Sequence, residues 1–496
     1  MPNDALNDIE LLIRSRYGLI YLDTPEEDRA NVLLRHVADR LGVPLFTWTR
    51  SQGLSRADIG DMIYESPDAT KAIQHVIAAQ QDGVYHFRSF AHTLAGNDLL
   101  TSLLRDATRS LEQLKGVIVL TGEGIDLPAS LKELAAHVTL PGPSDEEFRE
   151  LLTAIVRDIS KAQHVEVGLS REETTHLIQH LSGLTLMEAE KILTKAIIED
   201  GALSSKDIEH VIEAKRRVVE REGLLEYYPA SKTMANVADL VTLKAWLAKR
   251  KAVVKDSERA KRFGLTFPRG VLLLGVPGCG KSLSAKAVAA EWELPLLKLD
   301  PSNLYNKYVG ESENNFKRAM RAAERMAPVV LWIDELEKAF ASGGGEDGGV
   351  SQRILGTFLS WMQERTGDVF VVATANDIQA LPPEFLRKGR FDEIFFVDLP
   401  DQETREQIFQ IHLDSRGHDA SGFDLVKLAD QTDGFSGSEI EEVVVSALYT
   451  AFSSENALDT EALAFEIKTT KPLSVTMSEK IQKMREWAKG RAVRAN

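Results

Sequence analysis

The sequence predicts an α/β fold built twice, each half combining a parallel sheet with a helical lid. Three observations carry this expectation. The stretch Gly275, Val276, Pro277, Gly278, Cys279, Gly280, Lys281, Ser282 has G-x-x-x-x-G-K-[ST] spacing and lies between an apolar run and a helix-like run. The apolar runs at 271–274, 329–333 and 369–375 read as buried strands. Residues 17–30 repeat residues 269–282 in altered form, so the first half of the chain reads as a worn copy of the second.

The glycine-rich stretch has the strand–loop–helix context of a P-loop. Glycines let backbone N–H groups turn inward around phosphate oxygens, where a Cβ would obstruct the approach. The helix that follows presents its N-terminal amides to the same negative charge. Residues 275–282 together with Leu283 are therefore the expected nucleoside-triphosphate contacts, with Lys281 on the β- and γ-phosphates and Ser282 on Mg²⁺.

The run Val329, Val330, Leu331, Trp332, Ile333 delivers Asp334 and Glu335 at its end. This is a Walker B pattern, in which Asp334 holds Mg²⁺ through its water shell and Glu335 polarises the attacking water. The strand 369–375 delivers Asn376, whose amide can orient that water. Arg387 and Arg390, three residues apart, are expected on one side of a helical turn. Donated by a neighbouring subunit they would act as arginine fingers; the alternative is a surface ion-pair cluster.

These elements, with Lys307, Tyr308, Val309 and Gly310 between them, resemble the AAA clade of the AAA+ ATPases in order and spacing, over residues 232–468. The segment 331–340 and the tail 472–476 resemble the narrower Ycf-type AAA proteins, named for hypothetical reading frames of plastid genomes and also found in bacteria. The resemblance implies a ring, most often a hexamer, with ATP at subunit boundaries. It places Val237 against adenine and His412, Gly437 and Ser438 where the lid approaches base and ribose. The Gly-Gly pair common after the adenine contact is replaced here by Ala238 and Asp239. No sensor-2 arginine stands at 437–439, as in AAA proper.

The expected organisation is a degenerate AAA-like domain with its lid at 1–218, a linker at 219–235, an AAA+ large subdomain at 236–400, a helical lid at 401–468 and a C-terminal helix at 469–496. In the first half, Asp23, Glu26 and Asp28 replace the loop glycines and Arg29 falls opposite Lys281. Carboxylates there would repel a triphosphate. The Walker B counterpart, residues 84–89, lacks carboxylates, and the counterpart of Asn376 is expected near Gly124. An unrelated α/β domain with the same strand–turn–helix order is the alternative.

A net charge of −16, from 75 acidic and 59 basic residues, disfavours broad binding to a nucleic-acid backbone. The basic residues between 249 and 262 read as a solvated helix face. No apolar run approaches the roughly 18 residues of a membrane span, and the first residues lack a signal-peptide pattern, so a cytoplasmic address is expected. The lone Cys279 excludes an intrachain disulfide; its place beside a helix N-terminus raises a redox switch as a minor alternative. No His/Cys spacing suggests a protein-held metal, which leaves nucleotide-borne Mg²⁺.

Tyr308 and Val309, ending at Gly310, suit a pore loop that grips extended polypeptide without reading its sequence. The glycine-rich segment 341–349 is expected as a second pore-facing loop. The expected function is an ATPase ring that remodels a protein partner. The alternatives are a nucleotide-dependent switch or scaffold and, more weakly, a nucleic-acid motor.

Overall fold

The computed structural model describes the chain apart from residues 1–2, 60–62, 64–65, 95, 125–126, 162–163, 222, 229–237, 239, 301–310, 341–347, 366 and 388. Val237, the pore-loop residues Lys307, Tyr308, Val309 and Gly310, and most of the glycine-rich segment lie outside the described residues. The chain divides into two compact units, Met1–Val211 and Ile212–Asn496.

Unit 1 holds a six-stranded sheet of β1 (Leu19–Asp23), β2 (Leu45–Thr49), β3 (Gly53–Arg56), β4 (Gly83–Phe87), β5 (Gly116–Gly122) and β6 (Ala135–Thr139), in the order β3-β2-β4-β5-β1-β6. All neighbours pair in parallel except β2 and β3. Helices and a small parallel pair, β7 (Glu166–Val167) and β8 (Ala202–Leu203), follow.

Unit 2 holds a seven-stranded sheet of β9 (Leu225–Tyr228), β10 (Gly270–Gly275), β11 (Leu296–Leu299), β12 (Val329–Ile333), β13 (Val369–Ala375), β14 (Glu393–Val397) and β15 (Val493–Arg494), in the order β15-β14-β10-β13-β12-β11-β9. The strands β10, β12 and β13 are buried along their whole length. Alternate residues serve two cores: Leu272, Leu331 and Val371 face one, while Leu273, Trp332 and Val372 face the other. Burial on both faces explains why these strands are continuous apolar runs rather than alternating ones.

Strand order and register make the two sheets copies of one plan. In unit 1 β1 lies between β5 and β6; in unit 2 β10 lies between β13 and β14. Leu19 pairs with Ile118 as Val271 pairs with Val372. The same register brings Gly122 opposite Asp23, so Gly122, two residues earlier than expected, stands at the Asn376 position. Sequence matching set β5 against β13 two residues out because both are featureless apolar runs.

Two expected boundaries change. Part of the expected linker, Leu225–Tyr228, is β9, which pairs antiparallel with β11 and buries Leu225 and Tyr227. The expected C-terminal helix is two helices, Leu473–Thr476 and Ser478–Ala488, followed by β15 on the free edge of β14. The lid of unit 2 packs the helices Gln402–Asp414, Leu425–Gln431, Gly437–Ser453 and Thr460–Thr469 around Phe409, Leu428, Val444 and Leu463.

Candidate nucleotide site

The turn from β10 into the helix Lys281–Trp292 needs glycine at two close approaches. A Cβ on Gly275 would lie 1.9 Å from the Val397 carbonyl oxygen, and one on Gly278 would lie 2.1 Å from Ser438 Oγ. Both residues also have positive φ, 148° and 77°. The loop is thereby pressed against β14 on one side and against the start of the lid helix Gly437–Ser453 on the other. Ser438 N donates to the Gly278 carbonyl at 3.0 Å. That lid helix is held by a reciprocal cap between Ser436 and Glu439.

Lys281 is 6% exposed. Its Nζ donates to the carbonyl oxygens of Gly275 at 2.9 Å and Val276 at 2.7 Å. Burial lowers its pKa to about 8, against the opposing pull of Glu337, Asp334 and Glu335.

Asp334 Oδ1 accepts from Ser282 Oγ at 3.0 Å and from Thr374 Oγ1 at 2.5 Å. Thr374 Oγ1 in turn accepts the Glu335 N–H at 3.0 Å. One hydroxyl on β13 thus holds the Asp334 carboxylate and the Glu335 backbone N–H. Glu335 has φ of 50°, a left-handed conformation uncommon outside glycine. Its Oε1 accepts from Asn376 Nδ2 at 3.2 Å, and its Oε2 pairs with Lys338 Nζ at 2.5 Å. Glu337 Oε1 accepts the Asn376 N–H at 2.9 Å, and burial raises the pKa of Glu337.

Lys281, Ser282, Leu283, Asp334, Glu335 and Asn376 open on one cleft of about 1230 Å³, which Pro277, Gly278, Cys279, Gly280, His412, Gly437 and Ser438 also line. The expected ATP contacts that fall on described residues therefore converge, save Gly275 and Val276, whose carbonyls hold Lys281. His412, whose pKa burial lowers, lies beside Arg416 and Glu441.

Two expectations change. Arg387 and Arg390 do not share a helical face, because the short 3-10 turn Pro383–Leu386 ends in extended backbone at Arg387. Neither lines the cleft; Arg387 is exposed, while Arg390 is half-buried and donates to the Leu359 carbonyl of its own chain. Cys279 is not a ready thiolate. Burial pushes its pKa up to about 12, which outweighs the neighbouring Lys281 cation.

The sequence reading missed Thr374 and Glu337. Thr374 carried a signal, since a hydroxyl in an otherwise apolar buried strand is costly unless bonded. Glu337 carried none.

In unit 1 the corresponding positions are occupied by the protein's own carboxylates. Glu27 accepts from Ser89 N at 2.6 Å, Ser89 Oγ at 3.1 Å and Thr121 Oγ1 at 3.2 Å. Arg88 pairs with Asp28 at 2.7 Å and Glu27 at 3.5 Å. Arg29, opposite Lys281 in the repeat, is taken up by Glu26 at 3.1 Å and Glu147 at 2.9 Å. Glu26 also accepts the Leu186 N–H at 2.7 Å. Leu186 begins the helix Leu186–Asp200, whose Thr185–Glu188 cap matches the Ser436–Glu439 cap of the unit 2 lid. Continuing the strand registers puts Phe87 at the Asp334 position, Arg88 at the Glu335 position and Leu120 at the Thr374 position.

Fold and site define a P-loop ATPase domain with a helical lid, preceded in the sequence by a domain of the same plan. Family models agree: residues 271–399 match the ATPase family associated with various cellular activities (AAA), and 422–462 match the AAA+ lid domain. Residues 5–140 and 146–222 match the N-terminal and second domains of SpoVK-like AAA ATPases. The chain belongs to the AAA ATPase family and, within it, to the ycf46 AAA domain-containing proteins. It is 36% identical over 495 residues to that protein of Pyropia yezoensis, covering 99% of both chains. It is 33% identical over 492 residues to that of Trieres chinensis, covering 98% of this chain and 97% of the relative. Protein CdcH of Halobacterium salinarum is 36% identical over 215 residues, 42% of this chain and 29% of CdcH.

Proposed function

We propose that unit 2 binds and hydrolyses Mg·ATP and that the chain works as a ring, most simply a hexamer, that remodels a protein partner. The observation that carries the chemistry is the Ser282–Asp334–Thr374 cluster facing Lys281 across one cleft, with Asn376 on Glu335. Ser282 Oγ and Asp334 offer the hard oxygen ligands that suit Mg²⁺, which when bound would neutralise phosphate charge. Lys281 exchanges its two carbonyl partners for phosphate oxygens. Glu335, aligned by Asn376, takes the role of orienting the attacking water.

Arg387, exposed and outside its own cleft, is proposed to serve a neighbour's ATP as an arginine finger, and Arg390 is proposed to share that role. Val237 is proposed at the adenine, and Lys307, Tyr308, Val309 and Gly310 as the pore loop. The domain limits set out from the sequence, apart from the two changed boundaries, and a cytoplasmic address belong to the same proposal. Among the described residues no helix is long and apolar enough to cross a membrane. Unit 1, its loop filled by Glu26, Glu27 and Asp28, is proposed not to bind triphosphate.

A second reading, a nucleotide-dependent switch that dwells in its ATP state, is favoured by one contact. The Lys338 ion pair occupies the second oxygen of Glu335, so water activation would await its release. Recording ATP turnover alone, with unfolded polypeptide and with nucleic acid separates the readings. Stimulation by polypeptide supports remodelling, and ATP binding without stimulated turnover supports the switch. A Glu335→Gln trap should hold ATP and partner together for identification.

A further inference from the structure

Residues 493–496 occupy an unusual position for a peripheral segment. β15 pairs in parallel with β14, Phe395 opposite Val493 and Phe396 opposite Arg494. Ala495 then donates its N–H to the Phe396 carbonyl at 3.0 Å and is wholly buried in the core that includes Val271 and Phe395. β14 is the strand that runs on into the nucleotide cleft through Val397 and Asp398. Its neighbour is carried to the same end of the sheet.

There the segment meets the start of the helix Val241–Lys255. That helix begins after Leu240, at φ 59°, with no side-chain cap and no acidic residue in its first turn. Its free N–H groups are satisfied by the segment instead. The Ala495 carbonyl accepts from Thr242 N at 3.0 Å and Leu243 N at 3.2 Å, and the Asn496 backbone oxygen accepts from Thr242 Oγ1 at 3.1 Å. Ala495 is thus the anchor. Asn496, exposed, lines the cleft together with Ala238 and Leu240.

The P-loop and the Walker carboxylates fix where a triphosphate lies. The rest of the lining includes Ala238, Leu240, Ile411, His412, Arg416 and Asn496, and the base would lie against part of it. Leu240 and Ile411 supply apolar contact without discrimination. Asn496 brings a carboxamide with both donors and an acceptor. Such an amide complements the adjacent amino donor and ring-nitrogen acceptor of adenine, whereas guanine presents two acceptors on that edge.

We propose that Asn496 reads the nucleobase and makes the cleft prefer adenine over guanine. The proposal rests on unit 2 being an ATP site. It assigns base recognition to a segment far in sequence from the P-loop.

The test is calorimetric titration of the full chain with Mg·ATP and Mg·GTP, in wild type, Asn496→Ala, Asn496→Asp and Lys281→Ala. Both Asn496 variants keep the Ala495 anchor, so an unchanged melting temperature without nucleotide is expected. Asn496→Ala should weaken ATP about five- to tenfold while leaving GTP within about twofold, as for loss of one or two neutral hydrogen bonds. Asn496→Asp, lacking the donor, should also lose ATP affinity. Unchanged ATP affinity in Asn496→Ala, or equal losses for ATP and GTP, overturns the proposal while leaving the ATP site standing. Wild type without measurable ATP affinity, or Lys281→Ala with wild-type affinity, overturns the ATP-site reading itself and the proposal with it.

Discussion

In unit 1 the carboxylate of Glu26 accepts the backbone N–H of Leu186 at 2.7 Å, tying the altered loop after β1 to the first residue of the helix Leu186–Asp200. In unit 2 the same two places are Gly278 and the Gly437–Ser438 turn, which meet backbone to backbone. A side chain in one unit does what two glycine-lined surfaces do in the other. Removing it with Glu26→Ala should raise amide hydrogen exchange at the start of Leu186–Asp200. It should also lower the stability of unit 1 by about 1 kcal/mol, the usual net contribution of a hydrogen bond, since this one is only part-buried. Exchange unchanged at Leu186 would mean that the helix is held by its packing alone.

Lys281 has a folded-state pKa lowered to about 8 by burial. Phosphate binding needs its ammonium form, so ATP affinity should be flat below pH 8 and fall about tenfold per unit above it. Titration near pH 8 in buffers of different ionisation heat should show proton uptake on binding. Lys281→Ala should lose ATP binding and this pH dependence together.

Thr374→Val keeps the shape of the residue and deletes the hydroxyl that holds Asp334 and the Glu335 N–H. ATP affinity should change by less than about fivefold, whereas turnover should drop about 10- to 100-fold through misplacement of the water-orienting group. Glu335→Gln should likewise keep binding and lose turnover. A Thr374→Val enzyme with wild-type turnover would remove Thr374 from the working parts of the site.

Arg387→Ala should abolish hydrolysis while leaving nucleotide affinity intact, as expected for a group acting on the transferred phosphoryl charge. Mixing it with Lys281→Ala subunits should restore some turnover, because each supplies the half-site that the other lacks. Failure to rescue at every mixing ratio would place Arg387 outside any shared site.

His86 is buried between Asn31 Oδ1 and Thr121 Oγ1, each 3.0 Å from a ring nitrogen, and burial lowers its pKa from 6.5 to about 3. The unfolded chain therefore binds a proton that the folded unit refuses between those values. Unit 1 should lose about 1.4 kcal/mol per pH unit as the pH falls below about 6.5. A pH-dependent melt of His86→Gln should lack this slope.

Much of this was legible in the chain itself, for identifiable reasons. Gly275, Gly278, Lys281, Ser282, Asp334 and Glu335 fall in short contiguous motifs, where local spacing nearly dictates geometry. The repeat between residues 17–30 and 269–282 was visible because a loop between strand and helix tolerates few arrangements. The Gly122 position was missed by two residues because buried parallel strands carry no internal register mark. β9 was hidden in a four-residue strand, and β15 in a two-residue one, too short for any pattern to emerge. Asn496 lacked a signal of any kind; only the pairing of β15 with β14 brings it near the cleft.

The carboxylates of unit 1 have a consequence for how the two units should respond to added nucleotide. A ligand that diffuses stabilises its domain in proportion to the logarithm of its free concentration, so unit 2 should follow the cellular ATP level. Glu26 and Glu27 are covalently tethered, and their local concentration cannot be diluted, competed away or exhausted. A thermal melt should therefore show one transition that climbs with added Mg·ATP and another that stays where it is. On the proposed division of labour, the melting temperature of unit 2 would track Mg·ATP while that of unit 1 would stay independent of it.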